Sequence, residues 1–295
     1  MFLIFFLIKI LIIYVVTYKK HVMQIYFSFL SFLSSFLIFG QTSLLSKNFI
    51  ILPLTTLGAF DSKLLAQTAD SFFQSGLPKL SSGKAMDAFV DFNKAYQMEP
   101  ENPLYNYSCG LALAKYGLYE EAVSFFNDAI KFTTEANRKE LYYKDSYLQR
   151  GHSFYKLGNP QSAFTDFSES IKADPSYESA YFARAILLSE YQDEVSAIAD
   201  WNKLINLNPE NEVYFMERAI SKSNLGQYEE STKDFLKAIK INPNNGNIYS
   251  NRGVSLYKYQ GRVASCNDFK KAASLGDAYR SRWLQTQEAS WCRNM

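Results

Sequence analysis

Histidine and cysteine are scarce in this chain: two histidines (His21, His152) and three cysteines (Cys109, Cys266, Cys292) among 295 residues. A cysteine–histidine zinc site needs several such ligands in phase, so no metal is expected. Neither sign of charge is in excess, because 31 Lys+Arg face 29 Asp+Glu for a formal +2. Phosphate backbones call for a clustered basic face, so nucleic acid is not an expected partner. The chain also lacks a G-x-x-x-x-G-K-[ST] loop, a G-x-S-x-G elbow and an H-E-x-x-H pair. No cofactor is called for, and the chain does not read as an enzyme.

Charge is missing altogether from one long stretch. Residues 1–18 are apolar apart from Lys9 and a few hydroxyls near the end, and Lys19, Lys20 and His21 follow. Eighteen helical residues reach roughly 27 Å, enough for a hydrocarbon core. A second uncharged run covers Val22–Gly40; a third, Phe49–Phe60, is broken by Pro53. Two readings stand. The runs form a membrane hairpin with the Lys19-Lys20 turn inside, or the chain starts at Met23 and the second run is a signal core. Residues 1–60 are therefore expected to be a membrane anchor or signal region. The membrane is an expected partner, and the rest of the chain is placed outside the cytoplasm or exported after cleavage.

The remainder repeats itself. At an interval of 34 residues Arg150, Arg184, Arg218 and Arg252 line up, as do Asp166, Asp200, Asp234 and Asp268. Pro175, Pro209 and Pro243 form a third series. With the prolines numbered 32, small residues recur at position 8 (Gly76, Gly110, Gly151, Ala185, Ala219, Gly253) and at 20 (Ala88, Ala122, Ala163, Ala197, Ser231, Ser265). Position 24 is aromatic in every block: Phe92, Phe126, Phe167, Trp201, Phe235, Phe269. A glycine near 15 (Gly83, Gly117, Gly158, Gly226) halves the blocks, and proline at 32 ends the second half, since it cannot donate to a helical ladder. Each block reads helix, turn, helix, with small residues where two helices cross and an aromatic filling the space between them. In this register Cys109 and Cys266 lie four blocks apart and cannot bond. Cys266 and Cys292 stay open as a pair, and no disulfide framework is expected.

These blocks resemble tetratricopeptide repeats, and NRGVSLYKYQGRVASCNDFKKAASL is similar to the Arg-Gly…Asp-aromatic variety found in bacterial and plastid members. The resemblance implies an all-α fold, an α-α superhelix of helix-turn-helix units behind the hydrophobic N-terminal segments. Six repeats are expected at 69–100, 103–134, 144–177, 178–211, 212–245 and 246–277, after a linker at 61–68 and before a capping helix at 278–295. Departures from the pattern are Pro78 inside the first helix, the extra residues of TTEANRKELYYKD, and Trp283, Leu284 and Trp291, placed to cover the exposed end.

The recurring Arg–Asp constellation reads as structural, tying the helices of a unit or its neighbour, because four equivalent pairs do not make one active site. In this family a concave groove binds peptides or helices of other proteins, through positions 2, 5, 9, 12 and 13 of each first helix. Carried onto this chain the groove is Tyr107, Leu111, Lys115; Leu148, His152, Tyr155, Lys156; Phe182, Ile186, Glu190; Met216, Ile220, Asn224; and Ser250, Val254, Tyr257, Lys258. Aromatic and aliphatic residues stand at 5 and 9 where a chaperone carboxylate clamp has Lys and Asn, so an amphipathic helix or apolar peptide is the expected ligand. The expected function is an interaction scaffold or assembly factor. The alternative is a structural subunit that self-associates through its repeats, and oligomeric state stays open.

Overall fold

The computed structural model describes residues 68–295. Among them helices follow one another without a strand. Helices α1 (Ala69–Ser81) and α2 (Ala85–Met98) form the first hairpin, then α3 (Pro103–Tyr116) and α4 (Tyr119–Phe132), and α5 (Leu141–Lys156) and α6 (Pro160–Ala173). They are followed by α7 (Glu178–Glu190) and α8 (Glu194–Leu207), α9 (Glu212–Asn224) and α10 (Tyr228–Ile241), and α11 (Gly246–Gln260) and α12 (Arg262–Ser274). Each helix packs on the next. The result is an all-α solenoid of paired helices, closed by the short α13 (Ala278–Trp283) and α14 (Ser290–Arg293).

The expected anchor or signal region at 1–60 lies outside the described residues. Among the described residues no helix is long and apolar enough to cross a membrane. On that finding the expectation of a membrane-bound or exported chain, with the membrane as a partner, is not supported. The longest described helix, α5, has 16 residues, roughly 24 Å. It carries Lys144, Asp145, Arg150 and Lys156 along its length, which a hydrocarbon layer would not accept.

Local chemistry sets the helix ends. The side chains of Asn102, Asn159, Asp193, Asn211 and Asn245 accept backbone N–H bonds at the starts of α3, α6, α8, α9 and α11, satisfying donors the helix cannot. Helices α6, α8 and α10 stop at Ala173, Leu207 and Ile241, each two residues before its proline. Gly117 ends α3 with φ 101°. In the fourth unit, where no glycine stands, Gln192 takes φ 62° itself, a conformation uncommon outside glycine, asparagine and aspartate.

The core is built at one crossing. The six aromatics at position 24 are between 0% and 3% exposed. A Cβ added to Gly151 would sit 2.7 Å from the Phe167 ring, and one at Gly253 2.5 Å from Phe269. The small residue at position 8 is thus there to seat the ring of its own unit's second helix. The alanines and serines at 20 are fully buried beside it.

Arginine locks this crossing. Each guanidinium makes a two-pronged bond to the aspartate of its own unit: Arg150–Asp166 at 2.8 and 2.6 Å, Arg184–Asp200 at 2.8 and 2.7 Å, Arg218–Asp234 at 2.8 and 2.6 Å, Arg252–Asp268 at 2.7 Å twice. The third nitrogen of the first three reaches back a unit, to Asn127 at 2.6 Å, Ser168 at 3.0 Å and Asn202 at 2.6 Å. One side chain therefore binds three helices. In the first unit Lys79 and Ser75 take the arginine's place on Asp91.

The departures from the repeat pattern are absorbed locally. Helix α1 runs through Pro78 to Ser81, giving up the bond that an N–H at 78 would have made to the Gln74 carbonyl. The insertion forms a short 3-10 turn at Glu135–Asn137 and lengthens α5 at its start, while α4 keeps 14 residues. The expected single capping helix is broken into α13, a 3-10 turn at Gln287–Ala289 and α14. Arg293 fills the break by donating to the Leu284 and Thr286 carbonyls at 2.8 and 2.6 Å. A disulfide joins Cys266 on α12 to Cys292 on α14, with Cα atoms 5.3 Å apart, so the pair left open by sequence is bonded. Folding the cap back brings the two cysteines together, which chain spacing alone could not show.

Two outcomes test this account. Asp200→Ala strands a guanidinium whose side chain is 21% exposed and is expected to cost about 2–4 kcal/mol in chemical denaturation. Arg184→Met is expected to blunt the cooperativity of the same transition, and an unchanged melt would refute the locking role. Opening the 26-residue loop by Cys292→Ser is expected to cost up to about 3 kcal/mol, read as an earlier loss of Trp fluorescence from the cap.

Candidate functional site

The residues expected to form the groove fall into two groups. Leu148 and Met216 are buried, 3% and 9% exposed, and belong to the core clusters around Phe167 and Phe235. They are packing residues, correcting their placement in a binding surface. The position-9 series behaves otherwise: Leu111, Ile186 and Ile220 are half-buried, and His152 and Val254 are exposed. Phe182 and Tyr107 at position 5 are half-buried, with Phe182 edge-on to Trp201 at 5.4 Å and Tyr107 tilted on Phe126 at 6.2 Å. Lys115, Lys156, Glu190, Asn224, Tyr257 and Lys258 are exposed; Tyr155 and Ser250 are half-buried.

Several of these side chains are engaged between units. Tyr155 donates to Glu190 at 2.7 Å, and Asn224 donates to Glu194 at 2.6 Å. Glu194 is buried with its other carboxylate oxygen unpartnered among the described residues. Burial and that neighbouring charge raise the pKa of Glu217. Asp145, missed at the sequence level, is 7% exposed and accepts from Tyr107 and from Tyr177. Through one carboxylate it ties α3, α5 and the residue that leads into α7. Burial, then the Asp145 charge and hydrogen bond, push both phenols well above the ordinary tyrosine range. The only sequence signal for Asp145 was a carboxylate at a groove position, with a tyrosine in the preceding block and another at the end of its own. Such a signal is weak without the fold to show that they meet.

His152 stands edge-on to Phe167 at 5.1 Å. Its ring is accessible but crowded by neighbouring helices, and loss of hydration lowers its pKa, helped by Lys156 and opposed by Asp145. Among the described residues no group of His, Cys, Asp and Glu is placed to hold a metal.

At the end of the array Val254, Tyr257 and Lys258 meet residues from outside the repeats. With Arg262, Arg280, Trp283, Glu288 and Trp291 they line a recess of about 550 Å³. Trp291 packs 6.3 Å from Tyr257 and 6.0 Å from Trp283, so the cap extends this surface as well as covering the core. A larger recess of about 760 Å³ lies by the insertion, lined by Glu99, Glu101, Asn137 and Glu140 among others. None of its lining residues belongs to the predicted groove.

Because the fold disfavours the imidazolium, the stability contributed by His152 is present above pH 6.5 and lost as pH falls from there through its lower folded value. The expected result is an NMR titration of His152 centred below 6.5. His152→Gln is then expected to flatten the loss of stability across that window.

Comparison with known proteins supports this picture. Residues 144–177 match the family described as Tetratricopeptide repeat, and residues 224–260 the one described as TPR repeat. No curated protein matches by sequence. Among solved structures the chain is similar to YrrB, a TPR protein with an unusual peptide-binding site, at TM-score 0.55 and 15% identity over 66% of this chain and 98% of that one. It is similar to MamA from Desulfovibrio magneticus RS-1 at TM-score 0.53 and 15% identity, over 62% and 97%. The Cut9–Hcn1 assembly of APC/C matches at TM-score 0.55 and 15% identity over 78% of this chain and 45% of that one. Two stretches match tetratricopeptide models by sequence, and the described residues share the paired-helix solenoid fold of these structures.

Proposed function

We propose that the solenoid is a scaffold that binds an apolar peptide or amphipathic helix of another protein along its first helices. The observation that carries this is the position-9 series: Leu111, His152, Ile186, Ile220 and Val254 recur on successive first helices and none is buried. The positions that hold the array together, 20 and 24, are 0–3% exposed. This largely apolar stripe rests on the core with one side, as Ile186 and Ile220 do, and leaves the other in water, matching the anchor spacing of a ligand laid across several units. YrrB, whose fold is similar, has a peptide-binding site, and that supports the same reading.

The six-repeat division at 69–277, with a cap at 278–295, accompanies this reading. So does assignment to the Arg-Gly…Asp-aromatic variety, supported by the four repeated Arg–Asp pairs. The scaffold is not an enzyme. Its recurring charges are consumed in structural pairs, and its stripe supplies contact area rather than proton transfer.

The test is selection of peptides from a displayed random library against the full chain, followed by affinity measurement on variants. Ile186→Glu and Ile220→Glu are each expected to weaken the selected peptides about tenfold or more, since a charge buried without a partner is costly. Val195→Glu, at a second-helix site 69% exposed, is expected to change nothing. The reverse pattern would move the binding surface to the second helices and overturn the proposal.

A further inference from the structure

The start of each unit holds a place that needs an apolar side chain. Three residues after the N-caps Asn211 and Asn245 stand Tyr214 and Ile248, 7% and 0% exposed. Three residues after the equivalent cap, Asp277, stands Arg280. It is 9% exposed and stacks on Phe269, the last position-24 aromatic, at 4.1 Å. Its Nε donates to Ser250 at 2.8 Å. Its two terminal nitrogens have no hydrogen-bond acceptor, and no carboxylate is paired with it among the described residues. The four arginines of the repeats are each answered by an aspartate, and this one is not. Loss of hydration lowers its pKa, opposed by the Tyr279 phenol and by the Asp277 carboxylate, which lies too far off to form an ion pair.

A buried guanidinium without a counter-ion is costly unless something supplies one. The stack on Phe269 recovers part of that cost, but leucine or tyrosine would pack there without it. Arg280 also lines the recess at the end of the stripe, beside the exposed Lys258 and Arg262. One exposed carboxylate, Glu288, shares the lining, leaving three cations to one anion. The remaining walls are aromatic: Tyr257, Phe269, Trp283 and Trp291. Residues 1–60 contain no aspartate or glutamate, so that stretch of the chain offers no side-chain carboxylate.

We propose that this recess is a carboxylate-reading pocket, in which Arg280 takes a carboxylate of a partner peptide while the tryptophans hold an adjacent apolar side chain. The pocket rests on the scaffold reading above and adds to it a direction and a required charge at the end of the stripe. Planar two-pronged pairing is what a guanidinium with two free nitrogens offers.

The test uses the full chain and two labelled ten-residue peptides. One is built from leucine, phenylalanine and glutamate with a free carboxyl end; its twin has glutamine throughout and an amidated end. Fluorescence anisotropy is expected to show the acidic peptide binding about tenfold or more tightly. Arg280→Met is expected to reduce that preference below about twofold, with Arg280→Lys recovering part. Lys258→Gln with Arg262→Gln, on exposed side chains that leave the fold alone, is expected to lower the preference several-fold even if the Arg280 variant unfolds. Equal binding of the two peptides, or a preference indifferent to these changes, overturns the pocket. If both peptides bind equally and both are lost in Ile220→Glu, the scaffold reading survives and only the pocket falls. If neither binds, the pocket falls, and the library selection decides the scaffold. A chain that dimerises through its own Met295 carboxylate, shown by sedimentation and abolished by extending the C-terminus, would make a second copy the occupant and refute a partner peptide.

Discussion

Everything in this array depends on how closely two helices can cross. The second helix of each unit drives an aromatic ring toward the first, and the first must have almost nothing in its way. At Gly151 and Gly253 even a methyl carbon would lie within 2.7 Å of the ring. In the fourth and fifth units alanine is accommodated at the same place, against Trp201 and Phe235, with 0% exposure on both sides. The contact sets the separation within each hairpin, and close packing makes that separation hard to change.

Apolar contact alone leaves the angle and register of neighbouring units free, and the arginines remove that freedom. A guanidinium bonded to its own unit's aspartate and to the preceding unit's second helix has few other places to go. Buried ion pairs are weak evidence for stability but can act as devices of register, and a geometry recurring in four units fits that role. The fifth unit's Leu236, 52% exposed, stands where the earlier units offer Asn127, Ser168 and Asn202. The last arginine therefore lacks the backward bond, and the last unit is instead held from the other side, by the cap and the Cys266–Cys292 bond.

The same economy separates scaffold from surface. Residues that hold the units together are buried to within a few per cent, whereas the position-9 stripe stays half in solvent. Between these extremes lie bonds such as Tyr155–Glu190 and Tyr107–Asp145–Tyr177. They fasten unit to unit beside the stripe, so it is carried on a framework that is already ordered. A ligand meeting such a surface has little protein entropy to remove.

Periodicity revealed the helix-turn-helix unit, the small and aromatic positions and the recurrence of Arg with Asp, and the resemblance to tetratricopeptide repeats implied the all-α superhelix. A requirement imposed by one crossing recurs wherever the crossing does, and repetition makes it visible above the noise of a single sequence. Features that happen once escaped it. Leu148 and Met216 were read as surface because register gives the direction of a side chain but not the depth of its surroundings. Asp145 was passed over, because nothing in the sequence shows that Tyr107 and Tyr177 meet on it. The cap was taken for one helix, since nothing in its composition says that it folds back to bond Cys292 to Cys266. Arg280 has no counterpart in the repeats, so no comparison between blocks could single it out. Only the tertiary structure, by burying a charge and withholding its partner, decided that it is unusual.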